Sequence, residues 1–229
     1  MKKHKRAVWA KGHTVSLIDQ TVLPFRTEIF NSVTYTDTCK AIKNMLTRGA
    51  GSIGATAGYA MMQAAFEAPE NNRLQFLKNA KKEIEMTRPT AQDLFAAVER
   101  VYKKALVSVY EAEKEAHAIA DETSEAGRLI GEYGNTLIQK GFRILTHCNA
   151  GPLALVEYGS ALAPIIKAHQ SGKDILVYVD ETRPRNQGAK LTAWELKNEG
   201  IQHKIIADNA AGYLMQNGDI DLIITGADR

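Results

Sequence analysis

The sequence predicts an α/β protein: a mainly helical N-terminal domain, residues 1–140, with a short β segment at its start, followed by a Rossmann-like parallel α/β domain, residues 141–229. Two observations carry this. Before residue 140 the apolar residues recur at three-to-four spacing, the period of a helix with one buried face. After Gly141 four short apolar runs, FRILTH (142–147), ILVYV (175–179), HKIIA (203–207) and LIITG (222–226), alternate with helical stretches. Strands this apolar, separated by helices, belong to a parallel sheet covered on both faces.

Taken in order, the elements have local reasons. Period-two character around Thr14–Ile18 gives a short extended segment, with a turn at Pro24. Asp37 is expected to cap a helix over Cys39–Leu46. Ile53, Ala57, Ala60, Met61 and Ala64 line one face of a helix over 53–65, which PENN (69–72) ends. Arg73–Met86 is helical, TRPT (87–90) breaks the chain again, and Gln92 to about Gln139 supports one or two long amphipathic helices. In the second half Pro152–His169 reads as a helix with its proline in the first turn, where a missing N–H costs nothing. Ala189–Glu199 and Ala210–Asn217 read as helices ended by Gly200 and Gly218. The apolar run LIITG is followed almost at once by Arg229, so the α/β domain is expected to be truncated at its C-terminus.

At 229 residues, 45% hydrophobic and 24% charged, the chain is neither disordered, collagen-like nor of low complexity. No apolar run approaches the roughly 18 to 20 residues of a membrane helix, so no membrane association is expected. MKKHKR is basic, but Lys11, His13 and Asp19 interrupt the adjoining stretch, leaving no signal-peptide core; a cytoplasmic location is expected. Most of the net charge of +3 sits in that terminus, which reads as a solvated tail. No basic stripe lies elsewhere, so nucleic acid is not an expected partner. Cys39 and Cys148 are too far apart and too few for a disulfide framework or a zinc site.

Ligands of open parallel sheets bind beyond the carboxyl ends of the strands. Cys148 follows the first strand, just before the expected helix start, where amide dipoles would favour a thiolate and hold an anion. On position alone a small buried hydrophobe fits equally well. Cys39, sharing a helical face with Ile42 and Leu46, reads as core. Asp228 follows the fourth strand at the same edge; a thiol and a carboxylate across a crevice suit proton transfer, though a helix cap fits the position too. His147 is a proton carrier or, as strand-end histidines more often are, a hydrogen-bonded structural residue. Arg48-Gly49-Ala50-Gly51-Ser52-Ile53-Gly54 is a glycine-rich turn opening a helix beside a guanidinium, which suits a phosphate and equally suits close packing. It is not a P-loop, lacking Gly-Lys-Ser/Thr. Arg88, before Pro89, is a second candidate for an anion or a plain surface arginine, and Asp180, Glu181, Arg183 and Arg185 could pair with one another.

The strings RGAGSIGATAGYA, RPTAQDLFAA, ILTHCNAGPLA, VYVDETRPRNQGAKLTAWEL, ADNAAGYLM and IITGADR occur in this order. From about Trp9 to Arg229 the sequence resembles the methylthioribose-1-phosphate isomerases. Their wider superfamily includes ribose-1,5-bisphosphate isomerases and the regulatory subunits of the nucleotide-exchange factor of translation initiation. The resemblance implies an aldose–ketose isomerase acting on 5-methylthioribose 1-phosphate in methionine salvage, as a homodimer with a small-molecule sugar phosphate as its partner and with no metal or other cofactor. It places the catalytic residues at Cys148 and Asp228 and the substrate contacts at Arg48, Gly49, Ala50, Arg88 and Gln187. The rival readings are the same reaction on 5-deoxyribose 1-phosphate or ribose 1,5-bisphosphate, and a non-catalytic regulatory subunit, against which the retained Cys148 and Asp228 argue. Gly51-Ser52 stand where the family has Pro-Ala, so a more flexible turn is expected, and the family's Asn-Lys substrate contact, which lies beyond the aspartate, is not in this sequence.

Overall fold

Three short strands open the chain in the computed structural model, which describes residues 6–227. They are β1 (Val8–Lys11), β2 (Thr14–Ile18) and β3 (Ile29–Ser32), an antiparallel meander in the order β1-β2-β3. Period-two patterning points only to β2: its flanking strands have four residues each, and β3 keeps Ile29 and Asn31 exposed, so neither shows a clean alternation. The expected solvated tail at Met1–Lys5 lies outside the described residues. Its last residue, Arg6, is not solvated tail but ion-pairs with Asp121 at 2.7 Å and Glu157 at 3.2 Å.

Helix α1 (Tyr35–Lys43) starts four residues earlier than expected because Thr34, not Asp37, is its cap. The Thr34 hydroxyl accepts from the Asp37 amide at 3.2 Å and donates to the Asp37 carboxylate at 2.9 Å, so Asp37 supports the cap from the first turn. Helix α2 (Ala50–Glu67) is the centre of the N-terminal half. Every residue from Gly51 to Ala65 is buried, and its many glycines and alanines let neighbours approach from all sides. Around it lie α3 (Arg73–Glu85), α4 (Gln92–Ala105) and α5 (Val109–Asn135), the last begun by Ser108, whose hydroxyl accepts from the Glu111 amide at 3.1 Å. Leu77, Ile84, Leu94, Val98, Val101 and Ile119 close one continuous core over α2.

The second half holds β4 (Arg143–Thr146), β5 (Leu176–Asp180), β6 (His203–Ile206) and β7 (Leu222–Ile223), all parallel, in the order β6-β5-β4-β7. Helix α6 is Leu162–Gln170; α7 (Ala193–Glu199) follows a π-helical turn at Gly188–Thr192; α8 is Ala210–Gln216. Gly200 and Gly218 end α7 and α8 with positive φ, as expected. A second core of Ile144, Leu162, Ile165, Val177, Val179 and Leu196 lies between sheet and helices.

Two expectations fail in this half. Residues 152–161 are turns rather than helix, and α6 begins only at Leu162. Their backbone is satisfied across the molecule instead of along a helix: the Ala7 amide donates to Val156 O at 2.6 Å, the Val156 amide to Ser52 Oγ at 2.9 Å, and the Ser52 amide to Ala154 O at 2.9 Å. The sheet is not covered throughout either. β4 and β5 are largely buried, but the outer strands leave Lys204, Ile205 and Ile223 exposed, and only two residues of LIITG form strand. Among the described residues no helix is long and apolar enough to cross a membrane.

Candidate active site

The sheet order sets the place of the site. From β4 the chain steps outward to β5 and β6, then returns to the other side of β4 with β7. The loops after β4 and β7 therefore part at a topological switch point, where open parallel sheets hold their ligands. There is little room between them, since a side chain at Gly226 would meet the Ala150 Cβ.

Cys148 is the second residue beyond β4, exposed, with a left-handed φ of 63° that a side chain other than glycine rarely adopts. Both of its peptide groups are held. Its N–H donates to Thr182 Oγ1 at 2.9 Å, and its carbonyl accepts from Thr192 Oγ1 at 2.6 Å. Thr182, after β5, is itself left-handed, at φ 60°. Its amide donates to Asp208 Oδ1 at 2.7 Å and its hydroxyl to the Asp180 carbonyl at 3.2 Å. Conformations costing on the order of 1–3 kcal/mol each persist where neighbours over-determine them, which is typical of functional sites. The helix start expected beside Cys148 is absent, because α6 begins at Leu162. The thiol is met instead by Gln187, whose Nε2 lies 3.4 Å from Sγ.

Cations lie within electrostatic reach of the thiol. Arg48, at the turn before α2, is half-buried; burial first, then the charges of Arg185 and Arg88, hold its guanidinium below the ordinary value, while Cys148 acts the other way. Arg88 Nη1 and Gln187 Oε1 are buried with no hydrogen-bond partner among the described residues. The charges of Arg185 and Arg88 both bear on Arg48, and Arg88 keeps an unspent buried donor, an arrangement suited to an anion. A cavity of about 280 Å³ runs from Arg48 past Arg185 and Lys190 to Gln20 and Asn44. Gly49 caps α2 at φ 92°, and its side of the turn lies directly on Ala154, so the phosphate-type turn and the Cys148 loop are pressed together. The Ser52 hydroxyl donates to Leu153 O at 2.8 Å and accepts from the Val156 amide, tying the turn to the loop.

Of the residues singled out in the sequence, Gln187 meets the Cys148 thiol, Arg48 feels the charges of Cys148 and Arg88, and Gly49 lies against Ala154; Ala50 lines a separate cavity with Gly54, Ile224 and Ala227, and Asp228 lies outside the described residues. Cys39 is core, its thiol pushed up to about 12 by burial and then by the charges of Glu83 and Glu67. His147 is half-exposed, with Nδ1 2.8 Å from Asp180 Oδ2. Burial raises the Asp180 carboxyl, and His147 draws it back; Asp208 is held low by the amides of Arg183 and Thr182. Ligand atoms of His147, Asp180 and Asp208 fall within 4.8 Å of one another; the Asp208 oxygens, Asp180 Oδ2 and His147 Nδ1 are engaged by these contacts, while Asp180 Oδ1 is buried without a hydrogen-bond partner among the described residues. Of the four residues that could pair with one another, Asp180, Glu181, Arg183 and Arg185, Asp180 pairs with His147 instead, Arg183 turns to Asn186 and Arg185 to the Met45 sulfur. Sequence reasoning missed Thr182, Thr192 and Glu195. The signal for Glu195 is an acid on the apolar face of α7, beside Leu191 and Leu196.

Residues 46–229 match the model of the initiation factor 2 subunit family. The methylthioribose-1-phosphate isomerase of Thermoanaerobacter sp. (strain X514) is 45% identical over 238 residues, covering 99% of this chain and 69% of that protein. Its counterpart in Acetivibrio thermocellus is 45% identical over 226 residues, covering 94% of this chain and 66% of that one. The crystal structure of 5-methylthioribose 1-phosphate isomerase from Pyrococcus horikoshii OT3 superposes with a TM-score of 0.91 at 38% identity, over 99% of this chain and 67% of its own. The structure named as translation initiation factor eIF-2B, subunit delta, from A. fulgidus gives 0.88 at 40% identity, over 98% and 68%. The chain belongs to the initiation factor 2 subunit family and, within it, to the methylthioribose-1-phosphate isomerases.

Proposed function

We propose that the chain is an aldose–ketose isomerase converting 5-methylthioribose 1-phosphate to 5-methylthioribulose 1-phosphate. The observation that carries this is Cys148 held left-handed at the switch point, beside the Arg48 guanidinium and the glycine turn of α2. In this reading the phosphate is gripped by Arg48, Arg88 and the backbone at Gly49 and Ala50, and Gln187 orients the sugar next to the thiol.

A phosphate on the anomeric carbon blocks spontaneous ring opening, so the enzyme opens the ring with the phosphate in place. Asp228 protonates the ring oxygen as its bond to C1 breaks. Cys148 takes the proton from C2 as the C1–C2 double bond of an enol forms, and returns it to C1. Loss of the C2 hydroxyl proton to Asp228 then leaves the ketone and restores both groups. No redox partner is consumed. A non-catalytic regulatory subunit would have no use for a thiol held at this cost in conformational energy.

We further read the chain as two domains, 1–140 and 141–229, supported by the two largest apolar clusters, which lie mostly on either side of residue 140, while a smaller one joins Ala7, Ile18 and Leu23 to Leu153 and Leu191. We place the enzyme in the cytoplasm, in keeping with its two free thiols, as a homodimer like the family it belongs to, with neither nucleic acid nor membrane as partner. The test is to incubate the protein with 5-methylthioribose 1-phosphate and monitor the sugar by NMR. The ketose signal should replace the aldose. Folded protein that leaves the sugar unchanged, or that converts only 5-deoxyribose 1-phosphate or ribose 1,5-bisphosphate, would overturn the substrate assignment.

A further inference from the structure

We infer that Glu195 is a positioning residue for Cys148, its proton state being passed to the Cys148 carbonyl through Asn149 and Thr192. Glu195 is buried on α7 and touches no part of the cation cluster. Its Oε1 accepts from the Leu153 amide at 2.7 Å and its Oε2 from Asn149 Nδ2 at 2.5 Å. The same Asn149 Nδ2 donates to Thr192 Oγ1 at 3.1 Å, and the Thr192 hydroxyl donates to the Cys148 carbonyl at 2.6 Å. Room for the carboxylate exists because residue 151 is glycine; a Cβ there would overlap Glu195 Oε2.

These bonds run in one direction. With Glu195 ionised, every donor in the chain faces an acceptor, and the row ends with Thr192 pulling on Cys148. A proton on Oε2 would face the Asn149 N–H groups, donor against donor. Asn149 must then turn its amide, which presents its oxygen to Thr192. The Thr192 hydroxyl swings to that oxygen, and the Cys148 carbonyl is released. With that bond lost, the left-handed conformation at Cys148 keeps only its tie to Thr182.

Burial pushes the Glu195 carboxyl up to about 7, with the Glu199 charge acting the same way and the Leu153 and Asn149 bonds opposing. The ionised, clamped form therefore fills as pH rises through about 7 and empties below it. Asn149 and the Leu153 amide are the groups facing Glu195 from the loop, and Glu199 is the charged one on its own helix. Within the loop 149–153 no residue carries a titratable side chain.

The rate readout rests on the isomerase reading; the exchange readout does not. In Glu195→Gln the amide oxygen accepts from Leu153 and the NH2 group faces Asn149, which must turn its oxygen toward it, so the network stays reversed at all pH. We expect kcat to fall roughly 10- to 100-fold at pH 8 with KM within about twofold, the scale of a slightly misplaced reacting group, and the acidic limb of the wild-type kcat profile near pH 7 to vanish. Thr192→Val cuts the row at its last link and should lose a similar factor and the same limb, while keeping the Leu153 amide protected. Hydrogen exchange of the 148–155 segment, corrected for intrinsic rates, should quicken in the wild type as pH drops through about 7 and be pH-independent in Glu195→Gln. A wild-type kcat and limb in either variant overturns the inference, as does a Glu195→Gln that only lowers Tm. If the wild-type protein shows no turnover, the isomerase reading fails, and pH-independent exchange in the wild type still overturns this one.

Discussion

Cys148→Ser is expected to lower kcat for 5-methylthioribose 1-phosphate by about 10³-fold, within the 10²–10⁴ that a positioned proton-transfer group supplies. The substitution is nearly isosteric, sits on an exposed residue and leaves both backbone anchors, to Thr182 and Thr192, in place. Stability should therefore change by no more than about 0.5 kcal/mol, as at other exposed positions without special contacts. What is lost is the proton carrier of the proposed reaction, since a hydroxyl is far more weakly acidic than a thiol. KM should move little, because in the proposed reading the phosphate is held by Arg48, Arg88 and the α2 turn. Steady-state kinetics alongside a melting curve check both halves; near wild-type kcat in a folded variant would remove Cys148 from the chemistry.

The second large effect is on stability. Gly49→Ala should cost about 2–6 kcal/mol, read as a shift in the denaturant midpoint, from two additive causes. Gly49 has φ 92° and ψ 142°, in territory open essentially to glycine, which costs any other residue on the order of 1–3 kcal/mol. The new Cβ would also fall on the Ala154 Cβ and backbone, and overpacking of that kind costs a further ~1–3 kcal/mol. Ala154 belongs to the segment 151–156 that docks the second half on α2, so the phosphate turn and the thiol loop would part together. A loss below about 1 kcal/mol would show that this contact is looser than the geometry requires.

Much of this is legible in the sequence for identifiable reasons. β4, β5 and β6 announce themselves as apolar runs closed by polar turns, and the rule that ligands sit past strand ends leads straight to Cys148. α2 is legible because small and apolar residues almost fill it. The stretch 152–169 misleads because its apolar residues are periodic like a helix, yet its first part is spent docking onto α2 through Ser52 and onto Ala7, a tertiary use that periodicity does not encode. β1 and β3 are too short to alternate visibly. The roles proposed for Arg48, Arg88 and Gln187 are implied by resemblance, and the approach of Gln187 and Arg48 to Cys148 is a product of the fold. The clamp of Thr182, Thr192 and Glu195 stays hidden because each lies more than thirty residues from the loop residue it holds, inside strings that read as ordinary turn and helix.

The claim that Cys148 carries a proton between C2 and C1 is tested most directly by running the isomerisation in deuterated water and locating the label by NMR. A thiol that takes the C2 proton and returns one to C1 exchanges with solvent in between, so deuterium should appear at C1 of the ketose product. Product formed at full rate with no deuterium at C1 would mean that hydrogen moves directly from C2 to C1, and would contradict the role assigned to Cys148.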